Sequence, residues 1–153
     1  MSDSMRKEMI KLKKPVGKLV GYCQKKSPWV LHLGCGGCNG CSIEILATII
    51  PRFDIERFGM LVKGSPRHAD ILLVEGIVTK KMKDRLLTIY HQMPEPKYVV
   101  AIGSCAISKG ILYDSYNTGE PLDGIIPVDV YIPGCPPKPE AIINGLVKLL
   151  NKI

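Results

Sequence analysis

The chain has 153 residues, 46% of them hydrophobic and 23% charged, which is material for one domain with a buried core. No apolar run approaches the ~20 residues a bilayer crossing needs, the opening Met1-Ser2-Asp3-Ser4-Met5-Arg6 lacks a secretory signal's apolar stretch, and six cysteines in such a cytoplasmic or membrane-peripheral chain point to metal or redox chemistry rather than structural disulfides. The net charge is +7, but residues 1–26 hold eight Lys/Arg against Asp3 and Glu8, so the excess sits in an N-terminal arm and nucleic-acid binding is not expected.

Two units follow, a basic arm over residues 1–26 and a single α/β domain over residues 27–153. Within the arm, Met9-Ile10-Lys11-Leu12-Lys13-Lys14 suits either docking on anionic lipid or an acidic partner, or a solvated leader. The domain opens with a short strand, Trp29-Val30-Leu31-His32-Leu33, followed by the loop Gly34-Cys35-Gly36-Gly37-Cys38-Asn39-Gly40-Cys41, whose glycines permit the tight path on which several thiolates converge. Ser42 is predicted to cap a helix over residues 43–50 that stops at Pro51. Residues 53–62 read as a second strand region containing Gly59, and Ile71-Leu72-Leu73-Val74 as a strand buried on both faces at the sheet's centre.

Thr79 begins a basic crossover helix with Met82, Leu86, Ile89 and Tyr90 on one face, stopped by Pro94 and Pro96. Tyr98-Val99-Val100-Ala101-Ile102 is another buried strand, running straight into Gly103-Ser104-Cys105. Residues 113–124 are polar and turn-rich, predicted as a surface excursion. Val128-Asp129-Val130-Tyr131-Ile132 then delivers Cys135 within Pro133-Gly134-Cys135-Pro136-Pro137, and residues 139–150 form the last helix with Ile142, Ile143, Leu146, Leu149 and Leu150 inward.

Strands alternating with helices predict a doubly wound, mostly parallel sheet. Ligand sites in such sheets lie outside the carboxyl ends of the strands. Cys38 and Cys41, Cys105, and Cys135 each follow a predicted strand, so topology alone brings three distant loops to one place. Four thiolates suit zinc or a [4Fe–4S] cluster. Zinc sites commonly use two close Cys-x-x-Cys pairs; one pair plus two isolated cysteines favours the cluster, with a zinc-stabilised basic binding module as the alternative from another class. A ferredoxin run is excluded because Cys35, Cys38 and Cys41 would need a further cysteine where Ile45 stands. Gly34 to Gly40 lacks the lysine and spacing of a phosphate-binding loop.

Several motifs carry a resemblance: Pro51-Arg52-Phe53-Asp54-Ile55-Glu56-Arg57-Phe58-Gly59, Gly64-Ser65-Pro66-Arg67-His68-Ala69-Asp70, Met93-Pro94-Glu95-Pro96-Lys97-Tyr98-Val99, Gly103-Ser104-Cys105-Ala106 and the run from Pro127 to Pro137. In order and spacing, over roughly residues 27–150, these resemble the B-type subunit of respiratory complex I and the small subunits of membrane-bound energy-converting [NiFe] hydrogenases. The resemblance implies a flavodoxin-like fold and one [4Fe–4S] cluster held by Cys38, Cys41, Cys105 and Cys135. It also implies electron transfer to a large-subunit active site, without bond chemistry in this chain. The expected partners are that large subunit, a two-cluster ferredoxin-like subunit and membrane-embedded subunits, at the cytoplasmic side of the cell membrane.

Complex I subunits carry adjacent cysteines, whereas Gly40 precedes Cys41 here. The Cys38-x-x-Cys41 spacing resembles the hydrogenase-like branch, including its sulfur-reducing relatives, and quinone reduction is the alternative. Cys35 is the alternative ligand to Cys38, and Cys23 is expected to be a free thiol without a role. Glu44 reads either as a carboxylate complementing a helix N-terminus or as a proton-relay or partner-contact group. Trp29, Arg52 and Arg57 resemble positions facing the large subunit; the plain alternative for the arginines is solvated charge.

Overall fold

Extended β-rich runs bounded by turns make the frame of the molecule. A computed structural model describes Leu19 and residues 21–153, so most of the basic arm, including residues 9–14, lies outside the described residues. Five strands form one sheet: β1 (Trp29–Gly36), β2 (Leu61–Val62), β3 (Ile71–Gly76), β4 (Tyr98–Ile102) and β5 (Val130–Ile132). Every pairing is parallel and the order is β2-β1-β3-β4-β5, the order of flavodoxin-like doubly wound sheets, with the switch point between β1 and β3. The helices are α1 (Gly40–Ile49), α2 (Lys80–Gln92), α3 (Gly103–Ser108) and α4 (Pro139–Lys152).

All six residues of β3 are buried, as its unbroken apolar run predicts. Alternate residues feed two cores. Ile71 and Leu73 join Val100, Ile102, Ile142, Leu146 and Leu149 on the α1/α4 face, while Leu72 and Val74 join Val99, Ala101, Leu86 and Met93 on the α2 face. Thr79 accepts from the Met82 amide at 3.3 Å and caps α2. At the amino ends of the strands, Asp70 accepts from Gln24 Nε2 (2.7 Å) and from the Trp29 amide (2.9 Å), tying helical residues 21–26 to the sheet.

Three expectations are corrected. Ser42 caps nothing: α1 starts at Gly40, after Asn39 in a left-handed conformation (φ 67°), so Ser42 lies inside the first turn and its hydroxyl donates to Glu75. Of residues 53–62, expected as a strand region, only Leu61 and Val62 are strand. Asp54 and Gly59, at φ 42° and 80°, bracket a 3-10 turn over Ile55–Phe58, leaving only two residues for β2. A Cβ at Gly59 would lie 2.2 Å from Lys26 O, so the close crossing there demands glycine. The excursion is exposed only in part, since Leu122 is fully buried in the second core.

Candidate metal centre

Beyond the carboxyl ends of β1, β3, β4 and β5, four stretches of chain enclose a pocket of about 260 Å³: residues 34–42, 75–76, 104–105 and 134–136. Its position follows from the parallel sheet, since each strand releases its loop at the same edge. Cys38 and Cys41 enter from the β1–α1 loop and the start of α1, Cys105 from the first turn of α3, and Cys135 from the loop after β5. The α3 turn is itself tied to the Cys135 loop, because the Ser104 amide and hydroxyl both donate to Gly134 O, at 2.8 and 3.1 Å.

The thiols differ in surroundings. Cys38 and Cys135 are exposed, Cys41 and Cys105 half-buried, and Cys35 buried within the α2-side core. Burial first, then Glu75, then Cys105, Cys38 and Cys135 push the Cys41 thiol up to about 11. Cys105 is raised by burial and then by Cys135 and Cys38. Cys35 rises to about 11 through burial and Glu75 alone. Cys41 and Cys105 thus feel the neighbouring thiols, whereas Cys35, although it also lines the pocket, is raised by burial and Glu75. Deprotonating Cys38, Cys41, Cys105 and Cys135 in one pocket accumulates charge that only a cationic centre offsets.

Glycines shape the space around the sulfurs. A Cβ on Gly103 would lie 2.7 Å from Cys41 Sγ, one on Gly110 would lie 3.3 Å from Cys105 Sγ, and one on Gly40 would touch Cys38 Sγ at 3.4 Å. Gly103 (φ 83°) and Gly110 (φ 51°) also hold backbone conformations unfavourable to side chains. Among the described residues, no three His, Cys, Asp or Glu side chains close on a point as the ligands of a single ion do. A cubane takes its thiolates at outer corners, farther apart than four ligands around one tetrahedral zinc. The donor set, the pocket and the glycine contacts fit that group.

Sequence reasoning missed Glu75, the last side chain of β3 before Gly76. It is 6% exposed, accepts from Ser42, lies 3.1 Å from His32 Nε2 without hydrogen-bond alignment, and has no partner for Oε2. The signal was a lone charge ending the apolar run of β3 at the ligand-binding edge.

The remaining candidates lie outside the pocket lining. Trp29 begins β1 and so stands at the opposite edge, its ring 5.0 Å from Lys63 Nζ. Arg52 and Arg57 lie over their neighbours Phe53 and Phe58, at 5.6 and 4.9 Å from the ring centres. Glu44 is half-buried and falls beyond the first turn of α1, which contains no acidic residue. Cys23 is exposed and away from the pocket. Beside the pocket, α1 presents Ile43, Leu46 and, just past its end, Ile50 to solvent.

Residues 38–149 match the family described as NADH ubiquinone oxidoreductase, 20 Kd subunit. The probable membrane-bound hydrogenase subunit mbhJ of Pyrococcus furiosus is 51% identical over 152 residues, covering 99% of this chain and 89% of that one. The B-type subunit of the NADH-quinone oxidoreductase of Citrifermentans bemidjiense is 49% identical over 135 residues, covering 88% and 77%. A chain of the membrane-bound sulfane sulfur reductase, an archaeal respiratory membrane complex, superposes with a TM-score of 0.77 at 45% identity, over 87% of this chain and 73% of that one.

Proposed function

The chain belongs to the NADH ubiquinone oxidoreductase 20 Kd subunit family, and from that premise we propose that it is the electron-transfer subunit of a membrane-bound respiratory complex, carrying one [4Fe–4S] cluster. Its relatives are subunits of oxidoreductase complexes, hydrogenase and NADH-quinone oxidoreductase among them, and this chain is likewise a subunit of such a complex. The observation that carries the finer reading is the convergence of Cys38, Cys41, Cys105 and Cys135 from three separate loops on one pocket, whose lining also includes Cys35, buried in the α2-side core.

Cys38, Cys41, Cys105 and Cys135 would hold the cluster, which supplies one-electron chemistry between neighbouring redox centres. The chain's own part is to hold four thiolates at the mouth of a buried sheet edge, to keep bulk away from their sulfurs with Gly40, Gly103 and Gly110, and to set a buried carboxylate, Glu75, beside them. Hydrogen bonding, burial and local charge are the levers that tune such a centre. The large subunit docks on the apolar face of Ile43, Leu46 and Ile50 beside the pocket, with Glu44 and Arg52 at its margin.

No helix among the described residues is long and apolar enough to cross a membrane. The chain is peripheral in this reading, on the cytoplasmic side, and reaches the bilayer through its partners. The Cys38-x-x-Cys41 spacing favours a hydrogenase-like or sulfur-reducing complex, supported by the 51% identity to the hydrogenase subunit. The 49% identity to a quinone oxidoreductase subunit keeps quinone reduction as the second reading.

The test is low-temperature EPR with iron and sulfide analysis on protein purified without oxygen, before and after dithionite. A reduced-state S = 1/2 signal with about four irons per chain is expected of a cubane. Zinc without a signal would sink the reading.

A further inference from the structure

Among the described residues that line the pocket, Glu75 is the one ionisable side chain that is not a cysteine. It is 6% exposed, so little water screens its charge. Its position is set by the frame rather than by a loop. Glu75 pairs with Gly34 of β1 on one side and with Ile102 of β4 on the other. The next residue, Gly76, turns the chain at φ 75° where a Cβ would lie 2.2 Å from Gly36 O. A carboxylate on the central strand of a parallel sheet, followed by such a crossing, has little freedom to move away from the sulfurs.

Its two oxygens are unequally served. Oε1 accepts from Ser42 Oγ and lies 3.1 Å from His32 Nε2, whereas Oε2 has no partner. Among the described residues no lysine or arginine nitrogen comes within ion-pair distance of either oxygen. A buried carboxylate left half-satisfied costs folding free energy. A residue that works against the frame at the mouth of a site is explained by the site. Two links connect it to the metal centre. Ser42 directly follows Cys41, so the Ser42 hydrogen bond ties the first turn of α1 to β3. The field of Glu75 also reaches the thiols, since after burial it is the next cause holding the protons of Cys35 and Cys41. A negative charge that opposes loss of a proton from those sulfurs opposes, by the same sign, the arrival of an electron at a centre they surround.

We propose that Glu75 is the potential-setting residue of this chain: its fixed, unpaired carboxylate lowers the reduction potential of the cluster and makes the reduced cluster a stronger donor to the next redox centre. The proposal rests on the electron-transfer reading above and adds to it the group that sets the driving force. One electron passes from an external one-electron reductant to the cluster; the reductant is oxidised, and no bond forms or breaks. Ser42 and the β3 backbone are positioning groups, which keep the carboxylate and the Cys41 turn in register.

The test is a redox titration of the full, cluster-loaded chain with dithionite and mediator dyes at one fixed pH, read by EPR. Glu75→Gln keeps the shape and removes the charge. It should favour the reduced form about tenfold, an upward shift of about 59 mV for one electron, with iron per chain as in wild type. Glu75→Asp keeps the charge and should stay near the wild-type potential. Glu95→Gln removes an exposed carboxylate from the loop before β4 and should change nothing. The metal-free Glu75→Gln chain should unfold in urea at or above the wild-type midpoint, because an uncompensated charge has left the interior. An unmoved potential in Glu75→Gln would overturn the assignment, and so would equal shifts in Glu75→Gln and Glu75→Asp, which would trace the effect to packing. Iron lost from Glu75→Gln, or a urea midpoint well below wild type, would make the carboxylate a group that assembly or the frame requires and would overturn it as well. A wild-type chain that takes up no iron overturns the electron-transfer reading and this assignment together, whereas a cluster with a potential indifferent to Glu75 overturns the assignment alone.

Discussion

Gly103 lies directly against the Cys41 thiol: a Cβ in its place would be 2.7 Å from Sγ, closer than real carbon and sulfur atoms approach. Its φ of 83° adds about 1–2 kcal/mol for any residue with a side chain. Gly103→Ala is therefore expected to lower the thermal midpoint, and to displace the Cys41 sulfur enough to cut iron content or alter the EPR line shape. Gly64→Ala is the comparison, because nothing lies within 4 Å of its Cβ position. Iron retention equal to wild type in Gly103→Ala would remove the idea that this glycine keeps the sulfur in place.

The ligand set separates by serine substitution. Cys38→Ser, Cys41→Ser, Cys105→Ser and Cys135→Ser should each lose or convert the cluster, while Cys23→Ser, at an exposed thiol away from the pocket, changes nothing. Cys35→Ser should keep the cluster but lose about 1–3 kcal/mol, because a hydroxyl replaces a buried thiol of the α2-side core. Iron and sulfide per chain and urea unfolding read the two effects apart. A cluster lost in Cys35→Ser and kept in Cys38→Ser would reverse the choice between them.

The sheet was legible because β3 and β4 are unbroken apolar runs and each cysteine loop follows a strand, which fixes both parallel topology and the edge at which the loops meet. What was not legible depends on neighbours distant in sequence. Ser42 has the residue type of a cap, but the carboxylate it bonds belongs to β3, 33 residues away. Gly59 looked like an interruption in a strand until the chain crossing at Lys26 explained its left-handed conformation. Nothing in the sequence around Gly103 or Gly110 indicates that they lie against sulfur. The exposure of Ile43 and Leu46 on an apolar helix likewise ran against periodicity, which by itself points such residues inward.

Alkali should destabilise the metal-free chain in a defined window. The Cys35 and Cys41 thiols rise from 9.0 in the unfolded chain to about 11 in the fold, so the folded state holds their protons more tightly. The stability this contributes is complete below pH 9 and is lost as pH rises through 11. Urea midpoints of the metal-free chain should fall between pH 9 and pH 11, and less steeply in Cys35→Ala. The same protons must leave Cys41 for metal to bind, so cluster assembly should improve with pH over the range in which the chain stays folded. An assembly yield independent of pH would contradict the raised Cys41 thiol.

Asp70 tests whether the two edges of the sheet are independent. It accepts from Gln24 Nε2 and the Trp29 amide at the amino ends of β1 and β3, while the cysteine pocket lies beyond the carboxyl ends. Asp70→Ala removes both bonds; Gln24 Nε2 keeps Pro96 O, but the part-buried Trp29 amide loses its acceptor, a loss of about 1 kcal/mol. The expected outcome is a lower thermal midpoint and faster proteolysis near residues 21–26, with unchanged iron content and EPR signal. Loss of the cluster at full folding would mean that strain passes along β1 and β3 to the cysteine loops, and that the centre depends on the whole sheet rather than on its own edge.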